Sequence, residues 1–441
     1  MRKSSFWALL PLLLFVVIYF SGSFILGDFY ALPVLVLFVF SLFIAFFQYP
    51  KRPIQKKLES FAKSAGNENI LIMILIFLLA GAFGELSKNI GAISSTINFA
   101  LNYISPQYII AGLFLVSCFI STSMGTSVGT IVALAPIAVG IENNIAGAMS
   151  IALAAVIGGA MFGDNLSFIS DTTIAATRTQ GIAMKEKFRV NFKMVFPVAV
   201  LVFIIYAFQG HFLLTDGAKV VAGDFEFIKV LPYIIVFVLA LSGLNVIWTL
   251  GIGILLTGAI GLFTNSIDFL TILQSINEGF SGMFELCLLC LIIGGIVGII
   301  RLNGGIEFLL NEVTKRINSK KKAELGIAFL VALVNLAIAN NTITIIIVGP
   351  IAKDISDKNQ LNGGRVASIL DTVSCFIQGL VPYGAQILAA LAAANVVLTE
   401  QNKSLMSPIE IMQYLYYPFL MGIVVFIILL FTNSSKKSSV S

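Results

Sequence analysis

The chain has 441 residues, of which 58% are hydrophobic and only 11% charged, and its mean hydropathy is +0.99. Water-soluble domains do not carry so apolar a composition, and no stretch between the apolar runs is long enough to fold separately, so residues 1–441 read as one all-α polytopic membrane domain. The net charge of +5 does not point to nucleic acid, because the basic residues sit between hydrophobic segments, where they report orientation.

The first apolar run, 6–26, follows the basic start "MRK". A cleaved signal peptide is the alternative, but the run is long, shows no obvious small-x-small cleavage site and is followed at once by 30–48, which favours a retained helix. Further runs are expected at 70–87, 108–141, 146–180, 194–210, 230–246, 247–264, 283–300, 324–352, 364–398 and 410–431. Those at 108–141, 146–180 and 364–398 are too long for one simple crossing, and 324–352 is long and interrupted. Each carries polar or Gly/Pro residues near its middle, the pattern of broken or re-entrant helices. Five basic clusters are expected on the cytoplasmic side: Arg2 with Lys3; "KRPIQKK" with Lys63; Arg178 with "KEKFR" and Lys193; Arg301 with Lys315, Arg316 and "KKK"; and Lys436 with Lys437. Both termini are then cytoplasmic. Cys118, Cys287, Cys290 and Cys375 all lie in apolar runs and read as buried small side chains, so no metal is assigned to "CLLC".

A shift of 214 residues, without a gap, lays "GTIVALAPIA" on "ITIIIVGPIA", Gly81 on Gly295, Gly84 on Gly298, Asn89 on Asn303 and Gly112 on Gly326. It also sets Thr126 and Ser127 over Asn340 and Asn341, so the interruptions of the two halves coincide. With the basic clusters inside, an odd number of crossings separates equivalent points. The expected architecture is therefore two inverted repeats, 1–210 and 211–441, each with a helical hairpin and a broken transmembrane helix.

Interrupted helices survive in a bilayer only where protein or a water-filled cavity satisfies the freed backbone, so the breaks mark a site. The stretch "FGDNLSFISDTT" places Asp164 and Asp171 there, with hydroxyls from Ser167, Ser170, Thr172 and Thr173. A carboxylate held away from water can keep a proton or exchange it for a cation with oxygen affinity, which makes the two compete for one place. Thr126 and Ser127 are expected to form one polar tip opposite Asn340, Asn341 and Thr342, while Asp371 and Gln378 belong to the second broken helix. The alternatives are local: Asp171 in "SDTT" can cap a helix, and the asparagines can join helices. "GTSVG" also fits the nucleophile-elbow pattern, yet the single histidine, His211, is expected in an external loop, so an enzyme is not the reading.

The pair "GTSVGT" and "FGDNLSFISDTT" resembles the signature of the NhaC-type Na⁺/H⁺ antiporters, in which a GTS-x-GT stretch precedes G-D-x-x-S-P-x-S-D-T-T. The resemblance implies a carrier without cofactor that exchanges cytoplasmic Na⁺ for external H⁺ by alternating access. It places Na⁺ at Asp164 and Asp171, with Ser167, Ser170, Thr172, Thr173, Thr126 and Ser127 at the motif positions, and implies a homodimer in the cell membrane. Phe168 stands where the family usually has proline, and Asn165 where it commonly has lysine. Carriers of organic acids or amino acids coupled to protons or Na⁺ are similar to this family and form the alternative.

Overall fold

In a computed structural model the described residues are 4–26, 32–167, 170–215, 223–242, 244–314 and 319–431. Phe168 and the basic residues Arg2, Lys3, Lys315, Arg316, Lys436 and Lys437 lie outside them. Runs of Leu, Ile, Val, Phe and Ala can satisfy their backbone in lipid only as helices, and among the described residues every long element is helical. The first half contains α1 (Leu10–Leu26), α2 (Val34–Phe47), α3 (Ile54–Ala65), α4 (Glu68–Asn89) and α5 (Ala92–Tyr103). It continues through α6 (Ile109–Met124), α7 (Ser127–Gly140), α8 (Met149–Leu166), α9 (Asp171–Gln180) and α10 (Met184–Thr215). The second half contains α11 (Phe227–Leu241), α12 (Val246–Phe263), α13 (Phe269–Gly282), α14 (Phe284–Leu302) and α15 (Gly305–Thr314). It ends with α16 (Lys320–Ile338), α17 (Asn341–Lys358), α18 (Gly363–Leu380), α19 (Ala385–Glu400), α20 (Pro408–Met412) and α21 (Tyr416–Phe431).

The 214-residue shift reappears as structure. Met149 and Gly363 open α8 and α18, Leu166 and Leu380 close them, and Asp171 and Ala385 open α9 and α19. Among the described residues six runs are long and apolar enough to cross a membrane, including 149–180, 184–213, 269–302 and 363–400. Four helices fall outside the expected apolar spans: α3, α5, α13 and α15 mix polar and apolar residues, so no unbroken run announces them. They matter to the architecture, because α3 packs on α14 while α13 packs on α4. His211 lies within α10 rather than in a loop, because the apolar run continues past it through Phe212, Leu213 and Leu214.

The centre of the molecule is α8, every residue of which is buried except Ser150 and Phe162. Ser117 and Ser121 of α6 donate their hydroxyls to the carbonyls of Val156 and Ala160, each at 2.6 Å. Donors and acceptors are each four residues apart, so α6 and α8 run parallel. Small residues permit this approach: a Cβ on Gly159 would stand 2.4 Å from the Phe114 carbonyl oxygen, and one on Gly163 would stand 2.3 Å from Ser121 Cβ. Gly159→Val is accordingly expected to force the two helices apart, costing about 1–3 kcal/mol or more and lowering the melting temperature in detergent; an unchanged melting curve would contradict this packing. In the second half Asn335 donates to the Ser374 carbonyl at 2.7 Å and Gln378 to the Ala339 carbonyl at 2.9 Å, again four apart on both sides, so α16 and α18 are also parallel.

Candidate functional site

Two tips and two breaks meet at the centre. α6 ends at Gly125 in the left-handed region (φ 71°), Thr126 is extended, and its hydroxyl accepts from the Gly129 amide at 3.3 Å to open α7. α16 ends in the same way at Ala339 (φ 52°), followed by extended Asn340, whose Oδ1 accepts from the Ile343 amide at 2.9 Å. A left-handed residue followed by a polar N-cap stops one helix and starts another in two residues. Because α7 packs on α8 beside α6, and α17 on α18 beside α16, the chain turns back at each tip.

These elements enclose a cavity of about 450 Å³. The first broken helix contributes Asp164, Asp171 and Thr172, and the first tip contributes Thr126 and Ser127. The opposite tip contributes Asn340, Asn341 and Thr342, and the second broken helix contributes Gln378 together with Gln386. Glu68 at the start of α4 and Asn245 at the start of α12 line the same space. The two halves are joined across it by a chain of hydrogen bonds: Gln378 donates to Gln386 Oε1 at 3.0 Å, and Gln386 donates to Ser127 Oγ at 3.2 Å.

Asp164 sits at the end of α8, 5% exposed, and accepts the Ser127 amide at 3.0 Å on Oδ1. The first amide of α7 therefore points at a carboxylate, an arrangement that favours negative charge. The motif hydroxyls are arranged otherwise than expected. Ser170 donates to the Asp164 carbonyl at 2.9 Å, and Thr172 and Thr173 approach the same oxygen at 3.5 Å each, while Ser167 is buried as the last residue before the break. Ser170, Thr172 and Thr173 serve the peptide carbonyl rather than the Asp164 carboxylate, because the last carbonyls of α8 have no helical partner in an apolar interior. Ser170, not Asp171, is the N-cap of α9, accepting from the Thr173 amide at 3.3 Å; Asp171 is the first helical residue and is exposed toward the cavity.

Asp371 does not reach the cavity. It is fully buried in α18 and paired with Lys187 of α10, Nζ to Oδ2 2.8 Å, and Asn191 donates to the same oxygen at 2.8 Å. Lys187 and Asn191 also hold the Asn165 carbonyl, at 3.1 and 2.8 Å, and Lys187 bonds Thr173 as well. One buried ammonium thus ties the end of α8, the first turn of α9 and α18 together. In sequence Lys187 reads as part of a basic loop, whereas it stands in the first turn of α10 with its side chain only 1% exposed. The available signal was its four-residue spacing to Asn191, which puts both on one face of a helix that becomes wholly apolar at Val195.

Two further cavities flank the centre. One of about 430 Å³ lies across Ala339 and Asn340, which line both spaces, and carries Lys63 and Arg301. The other, of about 300 Å³, is lined by α4, α7, α13 and α19 and holds Glu85, Glu278 and Glu400 beside Lys88. Lys88 pairs with Glu85 at 3.3 Å and with Glu400.

The sequence matches the model of the Na⁺/H⁺ antiporter family over residues 4–211 and 220–434. The chain belongs to the Na⁺/H⁺ antiporter family. It is 27% identical over 371 residues to the Na⁺/H⁺ antiporter NhaC of Bacillus subtilis, covering 77% of this chain and 80% of that one. It is 22% identical over 345 residues to the arginine/ornithine antiporter ArcD of Halobacterium salinarum, covering 71% and 70%, and 21% identical over 352 residues to the malate-2H⁺/Na⁺-lactate antiporter of Bacillus subtilis, covering 73% and 74%. Membership establishes a multi-pass membrane transporter of antiporter type. In this antiporter-family chain the two parts of the sequence signature, far apart along the chain, meet in one hydrogen bond between Ser127 and Asp164.

Proposed function

We propose that the chain is a Na⁺/H⁺ antiporter that exchanges cytoplasmic Na⁺ for external protons, with Asp164 and Asp171 alternately protonated and paired with Na⁺. The observation that carries this reading is the position of Asp164, a buried carboxylate at the meeting point of a hairpin tip and a broken helix. Burial away from water makes an uncompensated charge costly, so either a proton or a cation must accompany it. Neutral oxygens from Thr126, Asn340 and Gln378 in the same cavity suit Na⁺, which takes oxygen ligands.

The arrangement of the halves supports alternating access. Asp171 and Asn341 open α9 and α17 at the cavity, and Gln180 near the end of α9 donates to the Gly349 carbonyl of α17 at 2.9 Å, which supports the same direction for both. α17 reverses α16, and α16 is parallel to α18, so the second broken helix runs opposite to the first. This is the inverted relation in which one half can take up the other's conformation. The positive-inside rule supports a cytoplasmic side for Lys63, Arg301 and both termini, and the resemblance to the NhaC-type antiporters supports a homodimer.

In proteoliposomes with an internal pH dye, Na⁺ is expected to dissipate an imposed pH gradient. If malate, lactate or an amino acid does so and Na⁺ does not, a coupled organic-solute carrier replaces this reading. The size of the central cavity and the names of the two organic-solute relatives are what favour that second reading.

A further inference from the structure

The pocket that holds Lys88 stands at the far end of α4 from the central cavity. Glu68 opens α4 at the central cavity, and Lys88 closes it roughly 30 Å away at 1.5 Å per residue. The Lys88 pocket therefore faces the side of the membrane opposite to Lys63, the outside if Lys63 is cytoplasmic. Three helices line both spaces. On α4 the central cavity ends at Ile76 and the outer pocket begins at Ala80; on α7 the change falls between Val128 and Val132, and on α19 between Gln386 and Ala389. Such a gap is about one helical turn, or roughly 5 Å, and Phe77, Ile131 and Ile387 within it are fully buried. One closed turn thus divides the central cavity from an outer space of about 300 Å³, room for about ten waters.

An ionic contact crosses that outer space. Lys88 pairs with Glu85 of its own helix at 3.3 Å and with Glu400 at the end of α19. The first is an ordinary pair between residues three apart on a helix. The second is not local, since 312 residues separate its partners and they belong to different halves of the chain. α4 and α19 each pack on α7 and α13, and Lys88 bridges the opening between them. Glu278 of α13 lines the same pocket, and among the described residues Lys88 is the only basic one that does. A movement that parts α19 from α4 opens the dividing turn and has to break this pair.

We propose that the Lys88–Glu400 ion pair is the outer gate of the transport path: it holds α19 to α4 in the present conformation and breaks when the central cavity opens to the outside. Lys88 is a positioning residue and carries no transported ion. Glu85 keeps the ammonium at the mouth while the pair is open, so that the gate can close again. The inference rests on the alternating-access reading above and adds the contact that holds one of the two states.

Val128→Cys puts a thiol in the central cavity just inside the dividing turn, and its reaction with an impermeant maleimide added outside intact cells reads how often the path opens outward. The chain without that substitution, whose four cysteines are buried, gives the background. Added to Val128→Cys, Lys88→Gln and Glu400→Gln are each expected to speed labelling about two- to fivefold, the population shift that follows loss of a partly exposed ion pair. Exchanging the charges, Lys88→Glu with Glu400→Lys, should return labelling to the rate of Val128→Cys alone, because an ammonium on α19 then faces carboxylates at positions 85 and 88 of α4. General loosening of the helix ends would not be reversed in this way. Should one single variant fail to reach the membrane, the other decides together with the exchange. Unchanged labelling in the single variants overturns the gate and leaves the antiporter reading standing, and so does faster labelling that the exchange does not reverse. A thiol that is never reached from outside in any variant overturns the gate and alternating access together.

Discussion

Asp164→Asn is expected to insert, fold and reach normal abundance while its Na⁺-driven proton flux falls to that of protein-free vesicles. The carboxamide has nearly the same volume, and its oxygen can still accept the Ser127 amide now held at 3.0 Å, so the contact between tip and break persists. What is lost is the one property transport needs, a group that can carry either a proton or a negative charge to meet Na⁺. Asp171→Asn is expected to be milder, because α9 is capped by Ser170 and keeps that cap, and because Asp171, unlike Asp164, is exposed, so water can take over part of its pairing with Na⁺. Dye-quench rates and size-exclusion profiles of the two variants, measured side by side, test the ranking. Wild-type exchange in a monodisperse Asp164→Asn protein would remove this residue from the mechanism.

Lys187→Ala should be the most destabilising single change at the centre of the molecule. It would leave Asp371, 0% exposed, as an uncompensated charge, and breaking a buried pair by removing one partner costs about 3–5 kcal/mol. It would also free Thr173 and leave the Asn165 carbonyl to Asn191 alone, so the two halves of the broken helix would lose their common anchor. Lys187→Met combined with Asp371→Leu removes both charges at similar volume and is expected to recover most of the lost stability, since buried pairs can be replaced by apolar packing at little cost. The double variant also separates two roles for Asp371. A structural anchor predicts that it retains proton exchange, whereas complete loss of exchange in a stable double variant would return Asp371 to the transported-ion site.

Much of this was legible in sequence, for reasons that can be named. The two interruptions were visible because "GTS" and "ANNT" break apolar runs with polar residues at the same phase of the repeat, whereas the left-handed turns at Gly125 and Ala339 that make them tips were not, since alanine gives no such signal. Asp164 was visible because an acid at the end of "IALAAVIGGAMFG" has no solvated explanation. The hydroxyls were legible as polar groups but not in their aim: nothing in "SFISDTT" says whether Ser170 faces a carboxylate or a carbonyl, since that depends on where the chain re-enters the helix. Lys187 was hidden by its neighbours, being one of three basic residues in "KEKFR" and the one that turns inward. Glu68, Asn245 and Gln386 were out of reach altogether, because they come to the cavity from helices whose packing order no spacing rule encodes.

Finally, the two tips share a backbone conformation but not a residue. At Gly125 the left-handed geometry is free of Cβ strain, whereas at Ala339 it costs about 1 kcal/mol or more. That energy is returned whenever residue 339 leaves the left-handed region, so rearrangement is about fivefold more accessible at the second tip than at a glycine-built one. The segment concerned is the wall shared by the two larger cavities. Two tips of one backbone shape thus differ in conformational cost by a single methyl group, and the costlier one stands between the two cavities.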